Sequence, residues 1–139
     1  MKQLPAEKIY LAHSSIANAG RGMFALDHIK EGELIERCPI IYLTEQDYPL
    51  AKQTTLLNYY FLNEPENRAA IALGFGSLYN HSYEPNATYK KCLEDGFIDF
   101  IALKDIKVDE EITVNYNYGN PDDKKDLWIK EIPAHDSGE

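Results

Sequence analysis

The sequence has no long hydrophobic run: no apolar stretch approaches the ~20 residues that a membrane-spanning helix needs. Residues 1–8 are mostly polar and lack the apolar centre of a secretory signal peptide. We therefore expect an intracellular protein, cytoplasmic or nuclear, that does not bind membranes. The length of 139 residues suits one hydrophobic core, so a single domain over residues 1–139 is predicted.

Cysteine is scarce, since Cys38 and Cys92 are the only two and lie far apart. Without an export signal, two reduced core cysteines are favoured, and a single disulfide is the alternative. The sequence contains no Cys-x-x-Cys or His-x-x-x-His spacing, and its four histidines are scattered. These absences argue against a structural zinc site, and no metal is predicted.

Basic residues are outnumbered, with 14 Lys and Arg against 23 Asp and Glu and a net charge of −9. This balance argues against direct binding of nucleic acid, because neutralisation of phosphates by Lys and Arg supplies most of that affinity. It is compatible with a basic protein or peptide as substrate, which an acidic surface would attract. Charge alone favours the simpler explanation, that the acidic residues serve solubility.

Short apolar segments bounded by turn residues predict strands towards both ends of the chain. The middle, from about 44 to 72, is less regular and contains an aromatic cluster at 59–61, which suggests a short helix and a long insert. Residues 122–132 predict one or two helical turns, followed by a loose tail. The predicted strands are Ile9–Leu11, Met23–Ala25, Leu34–Glu36, Ile40–Leu43, Phe97–Leu103 and Ile112–Tyr116.

Residues 25–35 and 102–112 echo each other, with Ala, Leu, Ile, Lys, Glu and Ile at matching positions. Each copy predicts a strand, a polar turn that holds one apolar Ile, and a second strand. Strand–turn–strand units often converge on such sequences, and two copies are too few for a solenoid. The echo suggests a compact β fold in which two similar elements occupy equivalent places.

Gly20-Arg21-Gly22 is the first of three clusters that could carry chemistry. Its glycines let the backbone turn tightly and approach a ligand, so the backbone groups of Arg21 and Met23 could bind it. A plain β-turn explains the same residues, and the third glycine of a dinucleotide-binding loop is missing.

The second cluster, Gly74–Tyr89, packs glycines, polar side chains and aromatics into one short segment. An isolated Asn-His pair is usually part of a turn or a core. Here Asn80 and His81 stand between the glycines and Pro85-Asn86, and this density favours a site.

The third cluster, Glu110–Gly119, contains Tyr116 and Tyr118, which would share one face of a strand because they are two residues apart. Paired tyrosines at a strand end can wall an apolar slot, with their hydroxyls aimed at one point. Two half-buried core tyrosines are the alternative explanation.

The three clusters, taken in order, resemble the SET-domain family of protein lysine methyltransferases. Gly20–Gly22 matches its first motif, and Asn80–Asn86 matches its Asn-His-Ser-x-x-Pro-Asn motif. Glu110–Tyr116 matches its acidic-acidic-aliphatic-Thr-x-x-Tyr motif. The similarity covers about 9–119, which leaves 120–139 as a closing segment and loose tail. The chain thus resembles a minimal SET domain.

The resemblance implies a mainly β fold of several small curled sheets with short helices and a C-terminal pseudoknot that joins the second and third clusters. It implies transfer of a methyl group from S-adenosylmethionine to a protein lysine, which leaves S-adenosylhomocysteine. A basic protein tail such as a histone would be the substrate. An inactive SET-fold module that binds a basic partner is the rival, although a decayed site would have been expected to lose Tyr116, Asn80 or His81.

The resemblance also assigns cofactor-binding residues. Arg21, Gly22 and Met23 would hold the methionine end of S-adenosylmethionine through backbone groups. Asn80 and His81 would hold its methionine and adenine parts.

For the acceptor, the resemblance makes Tyr116 the catalytic tyrosine, in contact with the cofactor as well. Tyr89 and Tyr118 would line the lysine channel. Val114 stands where other members carry Phe or Tyr, and Tyr89 resembles the channel tyrosine of mono-methylating members. Mainly mono-methylation is therefore predicted.

The end of the chain departs from many family members, because residues 119–139 contain no cysteine for a zinc-binding lid. Trp128, the only tryptophan, is predicted to cover the adenine or the channel mouth instead, with an ordinary packing role as the alternative. Without such a lid, a homodimer that completes the groove is a further hypothesis.

Overall fold

The computed structural model describes residues 5–63 and 68–116. Within these ranges the chain forms nine strands, one short α-helix, α1 (Asp47–Ala51), and two 3-10 helices, Thr55–Asn58 and Leu93–Asp95. The strands are β1 (Ile9–His13), β2 (Arg21–Ala25), β3 (Leu34–Tyr42), β4 (Phe61–Asn63), β5 (Arg68–Ala72), β6 (Asn80–His81), β7 (Ala87–Cys92), β8 (Phe97–Ala102) and β9 (Glu111–Val114).

The strands form a four-stranded sheet in the order β1-β2-β9-β6 and a five-stranded sheet in the order β4-β5-β3-β8-β7. Strand β9 pairs antiparallel with β2 and parallel with β6, so the third cluster lies between the first and the second. The predicted mainly β class of small curled sheets is confirmed. The part of the predicted pseudoknot beyond residue 116, and the predicted helical turns at 122–132, lie outside the described residues.

The two echoed segments pack against each other across an approximate two-fold relation. Ile29 and Ile106, the apolar residues of the two turns, are fully buried and exchange backbone hydrogen bonds of 3.0 and 2.8 Å. The strands that flank the two turns are arranged in the same way. In one sheet β2 lies between β1 and β9, and in the other β8 lies between β7 and β3. The prediction of two similar elements in equivalent places is therefore correct. Matching backbone hydrogen bonds run from Ala25 to Glu110 and from Ala102 to Glu33, both at 3.0 Å.

One strand prediction is wrong, because Leu34–Glu36 and most of Ile40–Leu43 belong to a single strand, β3, which ends at Tyr42. This strand pairs with β8 up to Pro39 and with β5 from Ile40 onwards. Proline has no N–H to donate, and its position where β3 changes partner lets the strand continue through it. The two predicted segments are thus separated only by the point at which β3 exchanges β8 for β5 as its neighbouring strand.

The middle of the chain contains the predicted short helix, α1, but much of the expected insert forms β4 and β5. These strands extend the five-stranded sheet beside β3. Strand β7 was not among the predicted strands, because Lys90 and Lys91 break the apolar–polar alternation that marks a half-buried strand.

Side chains from both sheets meet in one hydrophobic core. Met23 and Ile112 enter it from the smaller sheet, and Ile98 and Phe100 from the larger one. Both cysteines are free: Cys38 is buried in this core and Cys92 is half-buried. None of the helices in the described part of the chain is long and apolar enough to span a bilayer.

Candidate active site

The Gly-Arg-Gly strand is held against the second and third clusters by a buried amide. Asn80, 1% exposed, donates from Nδ2 to the carbonyl of Arg21 at 2.9 Å and to Oε2 of Glu111 at 2.8 Å. The other oxygen of Glu111 accepts the hydroxyl of Ser14 at 2.7 Å. A Cβ at Gly22 would collide with the Glu111 carboxylate, so only glycine allows this close approach. Asn80 therefore fixes the strand predicted to hold the cofactor.

A second amide, that of Asn86, ties the end of the second cluster to the start of the third. Its Oδ1 accepts the backbone N–H of Thr113 at 2.9 Å, and its Nδ2 donates to the carbonyl of Glu111 at 2.8 Å. Nδ2 also lies 3.1 Å from a carboxylate oxygen of Glu110. Asn86 thus extends the β6–β9 pairing with side-chain hydrogen bonds in place of a backbone ladder.

His81 is joined directly to the predicted catalytic tyrosine. The backbone N–H of Tyr116 donates to Nδ1 of His81 at 3.0 Å, while the N–H of Ser82 donates to the carbonyl of Val114 at 2.9 Å. Because Nδ1 accepts, the proton of the neutral ring must be on Nε2. This Nε2 is buried and has no hydrogen-bond partner among the described residues. The histidine thus offers one N–H donor to a ligand.

Burial lowers the pKa of His81 below its ordinary value, and the stability of the protein should therefore depend on pH. As the pH falls below about 6.5, the unfolded chain takes up a proton that the folded chain refuses. The free energy of unfolding should then decrease with falling pH, by at most about 1.4 kcal/mol per pH unit for this one proton. Denaturant unfolding between pH 7.5 and 5, in steps of about half a unit, would measure the slope.

His81→Asn is the informative variant, because Oδ1 of asparagine can still accept the Tyr116 N–H but does not titrate. We expect its unfolding free energy to fall less steeply over the same pH range. Gln53→Ala, at an exposed residue that does not titrate, is the control and should keep the wild-type slope. Equal slopes for wild type and His81→Asn would contradict the assignment.

The hydroxyl of Tyr116 has a fixed direction. It donates to the backbone carbonyl of Tyr79 at 2.8 Å, which leaves the lone pairs of its oxygen available on the other side. Burial is the main cause that raises the pKa of Tyr116 far above its ordinary value, so the hydroxyl keeps its proton near neutral pH. Tyr116 can therefore orient and polarise a neighbouring group but does not act as a phenolate base.

Tyr116 opens onto a cavity of about 270 Å³ with mainly aromatic walls. The cavity brings together three residues predicted from sequence, Tyr89, Val114 and Tyr116. Tyr89 meets Phe61 edge-on, with 5.1 Å between ring centroids. The remaining aromatic residues of the wall are Tyr59, Tyr60, Tyr79 and Phe100.

A model of the SET domain matches residues 20–117, which contain the three matching motifs Gly20–Gly22, Asn80–Asn86 and Glu110–Tyr116. The chain belongs to the SET-domain family. Over 97 residues it is 36% identical to the Schizosaccharomyces pombe histone-lysine N-methyltransferase specific for H3 lysine 37. That match covers 70% of this chain and 66% of the relative, so the chain spans just under two thirds of the relative's length.

Solved structures of SET proteins have the same fold. A proposed histone methyltransferase of Plasmodium falciparum superposes with a TM-score of 0.65 and 33% identity, covering 81% of this chain and 95% of that one. Polycomb repressive complex 2 of Chaetomium thermophilum, in a structure bound to S-adenosylmethionine, gives a TM-score of 0.68. At 24% identity, over 84% of this chain and 16% of that one, this second match supports the fold alone.

The structure of this SET domain places most of the predicted site residues together. Arg21 and Gly22 lie beside Asn80, and His81 touches Tyr116. The Met23 side chain is fully buried, so only its backbone could reach a ligand. The other two predicted site residues, Tyr118 and Trp128, lie outside the described residues.

Several site residues of this SET domain had no predicted role. Glu111 stands inside the third motif, but its carboxylate matters only because β9 lies beside β2. Tyr59 and Tyr60 lie within the irregular middle segment, and their aromatic run is the one sequence signal for a cavity wall. Within residues 5–63 and 68–116, no group of three His, Cys, Asp or Glu side chains could hold a metal ion.

Proposed function

We propose that this SET domain transfers a methyl group from S-adenosylmethionine to the side-chain amine of a lysine in a basic protein. One observation carries the proposal: Tyr116 lines the aromatic cavity with its hydroxyl anchored on the Tyr79 carbonyl, and the next residue after Tyr79, Asn80, holds the strand of Arg21 and Gly22. The relationship to a histone-lysine methyltransferase supports a histone as the substrate.

The cofactor side offers the groups that S-adenosylmethionine needs. Besides Nε2 of His81, Nε of Arg21 is a buried donor without a hydrogen-bond partner in the described residues. The adenine ring nitrogens N1, N3 and N7 and the carboxylate of the cofactor are acceptors, so these donors fit it. The backbone of Gly22 and Met23 and the anchored Asn80 would complete the site. When bound, the cofactor supplies a methyl group on a positively charged sulfur.

The acceptor side must deliver a neutral amine along the sulfur–methyl axis. Apolar walls such as Phe61, Phe100 and Val114 disfavour the ammonium form of a lysine and so lower its pKa. Alignment in a narrow cavity is the main catalytic task, because methyl transfer needs no acid for the leaving sulfur. The free lone pairs of the Tyr116 oxygen can align the methyl through weak C–H···O contacts and stabilise the moving positive charge. Aromatic rings such as Tyr89 tolerate the cation that forms.

Transfer of labelled methyl groups tests the proposal. We expect the protein to label histones, or another basic protein such as a ribosomal one, when incubated with labelled S-adenosylmethionine and protein mixtures. If the protein transfers no methyl group and binds no cofactor in calorimetry, the enzyme proposal is wrong. Binding of a basic protein without transfer would favour the inactive module. A histone substrate would place the protein in the nucleus, and the same samples would show by sedimentation whether the proposed homodimer forms.

We also expect the product to be mainly monomethyllysine. Tyr89 lines the cavity, where its hydroxyl could hold a water in the space that a second methyl group needs. Tyr89→Phe should therefore increase the fraction of di- and trimethylated product in mass spectra, by about tenfold if one hydrogen-bonded water is lost. Tyr10→Phe, whose hydroxyl binds Asp109 at the surface, is the control and should keep the wild-type pattern. Trimethyllysine as the main wild-type product would contradict this expectation.

A further inference from the structure

Glu36 is a buried acid that belongs to none of the three clusters and does not line the cavity. It lies on β3 and is 7% exposed. Burying a carboxylate is unfavourable unless hydrogen-bond donors surround it, and an apolar residue would fill the same space without that cost. Its presence therefore calls for an account of what it holds.

The carboxylate of Glu36 ties β3 to the segment that leads into β6. Oε1 accepts the hydroxyl of Tyr79 at 2.7 Å, and Oε2 accepts the backbone N–H of Phe75 at 3.0 Å. The chain wraps closely around it, since Gly74 has a φ of +62° and a Cβ there would collide with Oε2. Each oxygen thus has its own donor.

Tyr79 connects this carboxylate to the reaction site. Its ring, 2% exposed, stacks on Phe100 with 4.3 Å between centroids. Its backbone carbonyl is the acceptor for the Tyr116 hydroxyl. Glu36 holds the hydroxyl of Tyr79, and Phe100 packs against the face of its ring. Together these two contacts fix the position of Tyr79 and so the direction of its backbone carbonyl.

We propose that Glu36 is a positioning residue for methyl transfer, which through Tyr79 sets the direction of the Tyr116 hydroxyl. It touches neither lysine nor cofactor. This inference rests on the proposed function for its kinetic consequence, but the coupling between Glu36 and Tyr116 is a property of the protein itself and can be measured without any reaction.

Glu36→Gln tests the proposal at nearly constant shape. A carboxamide has one acceptor oxygen, so when this oxygen accepts the Phe75 N–H, the NH2 group faces the Tyr79 hydroxyl, which must then accept a hydrogen bond and no longer donates to a charged oxygen. We expect kcat to fall about tenfold, because small misplacements of catalytic groups slow transfer strongly. KM for the lysine substrate and the affinity for S-adenosylhomocysteine should stay within about twofold. Tyr79→Phe should act in the same direction, and the double variant should be no slower than about the worse single one.

A spectroscopic readout separates positioning from general loosening. In protein labelled with carbon-13 at tyrosine Cζ, Glu36→Gln should shift the Tyr79 and the Tyr116 resonances, assigned from Tyr79→Phe and Tyr116→Phe. Glu94→Gln, an exposed acid next to β7, should leave both resonances and kcat unchanged. If Glu36→Gln does not fold, the Tyr116 resonance and kcat are measured in Tyr79→Phe instead, and both should change in the same way.

An unchanged Tyr116 resonance, or an unchanged kcat, in the Glu36→Gln protein would overturn the proposal. A wild-type protein that transfers no methyl group, but in which Glu36→Gln still shifts Tyr116, would refute the proposed function and support the coupling.

Discussion

Replacement of Tyr116 by phenylalanine is expected to lower kcat about 100-fold, a loss typical for one polar group that acts on the transition state. The variant removes the oxygen that is proposed to align the methyl group, together with its hydrogen bond to the Tyr79 carbonyl. The ring and the backbone N–H that binds His81 are retained. The affinity for S-adenosylhomocysteine should therefore change by less than about threefold in calorimetry.

Tyr10→Phe is the matched control, because it removes a hydroxyl that binds Asp109 on the far end of the β1–β2 pair and does not line the cavity. It should keep the wild-type kcat. If Tyr116→Phe instead abolishes cofactor binding, the tyrosine is a binding residue and its catalytic assignment is wrong. Wild-type turnover in Tyr116→Phe would remove the assignment altogether.

Replacement of Asn80 by alanine should have the largest effect on stability and on cofactor binding together. It leaves the Arg21 carbonyl and a Glu111 oxygen, in partly buried surroundings, without the amide from which both now accept. We expect the free energy of unfolding to fall by about 2–4 kcal/mol, since each buried unpaired group costs on the order of 1–3 kcal/mol. The affinity for S-adenosylhomocysteine should fall at least about tenfold, because the strand of Gly22 is no longer held in place.

Asn80→Asp separates the loss of hydrogen bonding from the loss of volume. The aspartate keeps the shape but places acceptor oxygens against the acceptors of Arg21 and Glu111, so it should be at least as destabilising as alanine. Gln53→Ala, at an exposed amide, is the control and should be within about 0.5 kcal/mol of wild type. Denaturant unfolding and calorimetry measure both effects. An Asn80→Ala protein with wild-type stability and affinity would show that this amide does not organise the site.

Much of the fold can be predicted because short apolar segments and the turn residues between them are local signals. The echo around Ile29 and Ile106 even indicates the relation between the two halves. Pairing over long distances is not a local signal, which is why the continuation of β3 through Pro39 was not predicted. The strand β7 was missed for a different reason: Lys90 and Lys91 carry long polar side chains that conceal a half-buried strand.

The candidate site shows the same division between local and long-range information. Asn80, His81 and Tyr116 can be recognised because each stands in a dense polar or aromatic motif. Glu36 cannot, since a single acid within an apolar strand has no distinguishing neighbours in the sequence. Its role depends on Tyr79, 43 positions away, and appears only when the chain wraps Gly74 around the carboxylate.

The proposed methylation of lysine by this SET domain is tested most directly by the mass of a lysine-bearing substrate after reaction with S-adenosylmethionine. Wild-type protein, S-adenosylmethionine and a histone H3 preparation should give a product heavier by one methyl group, with fragmentation locating it on a lysine side chain. Tyr116→Phe should give about one hundredth of that product in the same time. An unmodified substrate, or a methyl group on a residue other than lysine, would contradict the account.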